Sequence, residues 1–172
     1  MVEERPERER LRPWPVDPTA FLWCDRSLWP PGPWDGEPDF REFRHMGLPC
    51  IVCRGAMGGW CGYLGVPPGH VWHGKHQEEI DRSAAAEFPY ELSYASPCSL
   101  LICHTPAPGE PEDVWWMGFD LQRAGDYTPD VAMMMQRVPG LTELMRDWVY
   151  PNERFAQEAV RVLAELARKE MP

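Results

Sequence analysis

The stretch CIVCRGAMGGWCGYLGVP, residues 50–67, decides the fold. Residues 50–53 form a short apolar run, partly β-branched, which is a strand signal. After GAMGG the residues alternate: Trp60, Gly62 and Leu64 fall on one side, Cys61, Tyr63 and Gly65 on the other. That period of two is the side-chain period of a strand. The glycines between the two runs supply the backbone conformations of a hairpin turn. Outward from this hairpin, ELSYAS (91–96) alternates, SLLICHT (99–105) is an apolar run, and VWWMGFD (114–120) closes the series as an apolar strand. Four or five short strands joined by turns predict an antiparallel sheet.

One helix is clear beyond Pro151. Asn152 can cap it, Glu153 sits where the dipole favours an acid, and Arg168 and Lys169 occupy the last turn. Phe155, Ala159, Val162, Leu163 and Leu166 fall at helical spacing and predict the buried stripe. Residues 77–86 hold a short helix, and residues 127–150 hold two helical turns broken at Pro139-Gly140. The proline- and aromatic-rich run 21–34 reads as an irregular strap over the core. Residues 35–47 read as a turn and polar connection with one helical turn at 39–45. The prediction is a single α+β domain over residues 21–172: a four- to five-stranded antiparallel sheet, a C-terminal helix packed on it, and an irregular N-terminal segment. Residues 1–20, charged and without apolar periodicity, are expected to be a mobile arm.

Composition agrees with this outline. A chain of 172 residues can bury one core, and twenty prolines exclude a helical bundle. Nine tryptophans supply large buried area in a chain so interrupted. A net charge of −10 argues against nucleic acid as a partner, since phosphate contacts need clustered cations. The arginines of ERPERERLRP alternate with glutamates, which reads as a solvated segment. No apolar run has the length of a membrane span, and the charged opening MVEERPERER offers no signal segment. A cytoplasmic protein is expected, with its six cysteines as thiols.

Three groups of residues could carry chemistry. Cys50, Cys53, Cys61, His70, His73 and His76 contain enough ligands for zinc. However, no turn residue separates Cys50 from Cys53, and their odd spacing in a strand points them to opposite faces. Buried thiols, with no metal and no cofactor, are therefore expected. In GYLGVPPGH, glycines and Pro67-Pro68 place His70 just past a strand. In VWWMGFDLQRAGD, Asp120 ends a strand and Asp126 follows a glycine turn. Paired carboxylates can hold a divalent ion or divide acid and base work, or else cap turns through their oxygens. The expectation is that Asp120 and Asp126 converge on His70 at one end of the sheet, flanked by Trp116.

Gly62, Tyr63, Val66, Pro67, Gly69 and His70, with Trp115, Trp116, Gly118, Phe119, Asp120, Gly125 and Asp126, resemble a family of small uncharacterised proteins from bacteriophages and bacteria. The family pattern is a Gly-Tyr-x-x-Val-Pro-x-Gly-His loop, a His-Gly-Gly-Leu-Thr-Tyr strand, and a Trp-Trp-Phe-Gly-Phe-Asp-Cys-Ala-His-x-Gly-Asp segment. The resemblance covers about residues 60–166 and implies an origin, with no activity attached. This chain departs at Pro89-Tyr90-Glu91, in place of His-Gly-Gly, and at Leu121-Gln122-Arg123, in place of Cys-Ala-His. Arg123 cannot serve as a base near neutral pH, which tilts the reading toward binding. The expected function is a phage-type accessory protein that binds a host protein or a small ligand. Its candidate ligand-binding residues are Tyr63, His70, Glu91, Trp116, Asp120, Arg123 and Asp126. The alternatives are a hydrolase-like enzyme using His70, Asp120 and Asp126, a virion structural component, and a structural zinc module.

Overall fold

The computed structural model describes residues 25–99, 102–104 and 106–171. The arm expected to be mobile lies outside the described residues. Five strands, β1 (Phe40–His45), β2 (Leu48–Arg54), β3 (Trp60–Val66), β4 (Tyr94–Pro97) and β5 (Trp115–Asp120), form one antiparallel sheet in the order β1-β2-β3-β5-β4. The β2–β3 hairpin closes through Gly55 N–H donating to the Gly59 carbonyl at 2.8 Å, with Gly58 at φ +74°. Both predicted strands of the hairpin are therefore central, and β2 is buried along its whole length.

Two local expectations need correction. Residues 40–45 form edge strand β1 in place of the helical turn expected at 39–45. FREFRH has a period of two in which Arg41, Phe43 and His45 face the C-terminal helix, contacting Glu153, Arg161 and Glu165 respectively. Charged side chains suit an edge strand, where they discourage further pairing. SLLICHT forms no strand among its described residues. Ser99 and Ile102 exchange both backbone hydrogen bonds, at 3.1 and 2.9 Å, as an isolated antiparallel bridge.

The C-terminal helix packs on the sheet as expected. It is α4 (Glu153–Lys169), and the α-helices before it are α1 (Gln77–Asp81), α2 (Pro129–Arg137) and α3 (Leu141–Leu144). Asn152 caps α4 by accepting the Phe155 N–H at 2.9 Å. The break between α2 and α3 falls at Pro139-Gly140, with Gly140 at φ +81°. Ala156, Val160, Leu163, Ala164 and Ala167 of α4 face the sheet, whereas Phe155 and Val162, expected in the stripe, are 47% and 42% exposed. The seam is turned toward the small residues because the sheet already carries bulk there. A Cβ on Gly62 would lie 2.5 Å from Phe119 Cζ and 2.6 Å from Val160 Cγ2, so only glycine lets helix and ring approach.

The same device recurs one residue along. Gly118 pairs with Tyr63, and a Cβ there would meet Tyr63 Cδ1 at 2.3 Å. Gly62 beneath Phe119 and Gly118 beneath Tyr63 are reciprocal steric fits on the two faces of one strand pair. The Gly-Tyr and Gly-Phe-Asp motifs thus have a packing reason before any chemical one.

The strap holds from Asp25 onward. Trp34 is buried against Trp29, Tyr127 and Tyr150, with ring centroids 6.4, 5.6 and 5.6 Å away. Beneath it lies a polar core that the sequence did not announce. The Arg54 side chain is fully buried over the Trp60 ring, its guanidinium carbon 4.1 Å from the centroid. It donates to Glu37 at 2.8 Å, to the Tyr150 hydroxyl at 2.8 Å and to the Gly58 carbonyl at 3.1 Å. No helix among the described residues is long and apolar enough to cross a membrane.

Candidate functional site

His70 and the two aspartates are not brought together. Strands β3 and β5 run antiparallel, with Val66 opposite Trp115 and Cys61 opposite Asp120. The loop carrying His70 therefore leaves one end of the strand pair, and Asp120 leaves the other. Five strand residues separate the two ends, about 17 Å. The exits of adjacent antiparallel strands cannot share an end, and that is the reason the expected convergence is absent.

His70 is buried and locked. Its Nδ1 accepts the Trp72 N–H at 3.0 Å and its Nε2 lies 2.9 Å from the Ala167 carbonyl, an arrangement that puts the proton on Nε2. Burial pushes its pKa down, against the opposing pull of the Ala167 hydrogen bond. The imidazole is thus a neutral fastener between the β3 exit and the end of α4. Because the folded pKa lies below the unfolded value of about 6.5, the unfolded chain binds the extra proton first. Stability should be full above that value and fall as pH drops below it. Denaturant titrations at pH 7.5 and 5.5 should show this loss, and His70→Gln should remove that part of it. An unchanged pH dependence in His70→Gln would contradict the assignment.

The other predicted residues divide between the two ends. Glu91, Asp120, Arg123 and Asp126 lie around the Asp120 end. The Asp126 carboxylate accepts the Arg123 N–H at 2.9 Å, and Arg123 Nη2 donates to the Glu91 carbonyl at 2.8 Å. The Asp120 carboxylate accepts the Ser93 hydroxyl at 3.3 Å. Here Asp126 is a turn cap and Asp120 a pin on the β4 approach. Residues 89–91 and 121–123 touch each other through Arg123 and Glu91. Leu121 between them is buried in the core, and Gln122 is tied to the Met57 N–H at 2.8 Å, so packing closes this end. Tyr63 lies on the face opposite α4, edge-on to Tyr94 at 5.3 Å. Burial, with the nearby Cys61 and Cys53 thiols adding, pushes its phenol pKa up, so it stays neutral.

Trp116 points to a different place. Fully buried on that same face, its Nε1 donates to Cys98 Sγ at 3.3 Å, and its ring lies 6.0 Å from that of His104. His104 in turn lines a cleft of about 160 Å³ with Arg44, Leu48, Val114 and Arg168 among its walls. The β1–β2 hairpin, His104, residues 110–114 and the end of α4 shape it. Its floor is apolar and its polar groups are mainly cationic, although Glu110 pairs with Arg44. Arg168 contacts Met171 Sδ and has no carboxylate partner among the described residues. Such a cleft can take an apolar body carrying an anionic group.

Behind His104, Cys98 and Cys103 are bonded to each other. This corrects the expectation of six thiols; Cys24 lies outside the described residues, and Cys50, Cys53 and Cys61 are buried thiols. The bond follows from the Ser99–Ile102 bridge. Ser99 and Ile102 are a hydrogen-bonded pair, so the flanking Cys98 and Cys103 face each other at a non-hydrogen-bonded position, where Cα atoms approach most closely. Their Cα–Cα distance is 4.5 Å. Closing so short a ring stabilises the fold by only about 2 kcal/mol in the chain-entropy account. Cys98, Cys103 and His104 are also the one group of potential metal ligands that converges among the described residues, whereas the Cys50–His76 set does not.

Sequence reasoning missed Arg44, Arg168, His104 and the cysteine pair. The adjacent Cys103-His104 and the four-residue spacing from Cys98 were the available signal, outweighed by the Cys50-x2-Cys53 pattern. Neither a protein-family model, nor a curated protein, nor a solved structure matches this chain.

Proposed function

We propose that this is a phage-type accessory protein that binds a compact carboxylate, free or presented by a protein partner, in the cleft beside His104. The carrying observation is Arg168, which lines this largely apolar cleft together with Arg44 and His104 and has no carboxylate partner among the described residues. A volume of about 160 Å³ lies below the ~300–1,000 Å³ of sites for drug-sized ligands, which favours a side-chain-sized group. Arginine suits a carboxylate because its planar donors can bind both oxygens. No reaction is assigned, and with a net charge of −10 the reading involves no nucleic acid. A cytoplasmic setting, the host's if the chain is phage-encoded, belongs to the same reading.

The test is a thermal-shift panel of small aliphatic and aromatic carboxylates. Some members should raise the midpoint in proportion to occupancy. Arg168→Gln should remove those shifts while leaving the unliganded midpoint in place, and Asp120→Asn should leave them intact. Shifts that survive Arg168→Gln and vanish in Asp120→Asn would move the site to the other end of the sheet.

A further inference from the structure

We infer that Cys98, Cys103 and His104 form a zinc site when the cysteine pair is reduced, so that disulfide and metal are alternative states of the same three residues. The inference rests on the placement of these ligand atoms and is independent of what the cleft binds. Cys98 Sγ, Cys103 Sγ and a ring nitrogen of His104 all lie within 4.8 Å of one another. Tetrahedral zinc, with bonds of about 2.3 Å to sulfur and about 2.0 Å to nitrogen, sets neighbouring ligand atoms about 3.6–3.8 Å apart. Cys98 Sγ and His104 Nδ1 already stand 4.0 Å apart. The sulfurs are held closer than the zinc spacing by their bond alone, and reduction lets them part. Two thiolates and an imidazole suit zinc, and they leave a fourth position for water or an anion.

The surroundings favour the same reading. Trp116 Nε1 donates to Cys98 Sγ at 3.3 Å. An N–H donor to a ligand sulfur favours the thiolate and fixes its direction, as groups just outside a metal's ligands do. His104 and Trp116 are both buried, so packing holds the imidazole and this donor in place. His104 also lines the cleft, which gives an ion a way in. The disulfide closes over a separation of only five residues and contributes little stability, so the sheet and α4 keep their packing without it.

The change of state balances. Two small thiols supply two electrons and two protons, the Cys98–Cys103 bond becomes two thiols, and the small thiols leave as one small disulfide. Zinc then displaces both thiol protons to solvent and binds two thiolates and the neutral imidazole. In the reverse direction a small disulfide takes two electrons from the thiolates, the protein disulfide reforms and the ion is released.

The experiment uses the full chain, reduced with a phosphine, freed of reductant without air, and titrated with cobalt(II) as a coloured stand-in for zinc. One cobalt per chain should bind with a thiolate-to-cobalt charge-transfer band, and zinc should displace it. The oxidised chain should show no such band. His104→Ala and Cys98→Ser should weaken binding by more than about a hundredfold, and Trp116→Phe, which keeps a ring and removes the N–H, by about tenfold. Cys53→Ser, in the other cysteine group, should leave the titration unchanged. Zinc should also protect Cys98 and Cys103 of the wild-type chain from alkylation, a readout that requires no variant to fold. A reduced, folded chain without the charge-transfer band overturns the inference, as does a disulfide that resists the phosphine until denaturant is added. Binding that survives in Cys98→Ser and His104→Ala, or that is as tight in the oxidised chain, overturns it too.

Discussion

Arg54→Met is expected to lower the unfolding free energy by about 3–5 kcal/mol, the usual cost of breaking a buried charge pair by removing one partner. Arg54 is fully buried, and its two terminal nitrogens are shared among Glu37, Tyr150 and the Gly58 carbonyl. Glu37 also accepts the Glu153 N–H at 3.1 Å, which ties the network to the first turn of α4. The Tyr150 hydroxyl, with its pKa pushed up to about 12 by burial first and then by its hydrogen bond to Glu37, remains a donor to that carboxylate. Methionine removes the cation and leaves the Glu37 carboxylate without its counter-charge. Adding Glu37→Gln to Arg54→Met should therefore recover part of the loss, a coupling that a double-mutant cycle in urea reads directly. A loss below about 1 kcal/mol would mean that water reaches the guanidinium and that the strap does not seal it.

Leu163→Ala is expected to cost about 2–5 kcal/mol, because it empties a fully buried position between α4 and the sheet. The neighbouring Val162 supplies the control: it is 42% exposed, and Val162→Ala should change stability by no more than about 0.5 kcal/mol. Equal effects at the two positions would contradict the orientation given to the helix. A cost at Val162 alone would restore the stripe expected from spacing.

The contrast between these two positions shows what the sequence could convey. Strand period, hairpin glycines and the cap at Asn152 are local properties, and each was legible in its own few residues. The rotation of α4 was not, because it depends on where Phe119 and Gly62 sit across the sheet. Strand β1 was missed for a similar reason: in FREFRH, Arg41 and His45 meet α4 across more than a hundred residues of sequence. The site suffered most. His70 and Asp120 each follow a strand and a glycine, and the local patterns are alike. Their separation is set by the antiparallel order of β3 and β5, which no local motif encodes. Arg44, His104 and Arg168 come from three distant segments, and the Cys98–Cys103 bond depends on the Ser99–Ile102 bridge that aligns them.

The proposed ligand site lies at the His104 end of the sheet. Amide mapping tests it most directly. A carboxylate from the panel that raises the midpoint is titrated into isotope-labelled protein, and backbone shifts are followed by residue. The largest changes should fall on Leu48, His104, Val114 and Arg168, with Glu91, Asp120, Arg123 and Asp126 unmoved. Changes centred on Asp120 and Arg123, with the cleft residues silent, would contradict it.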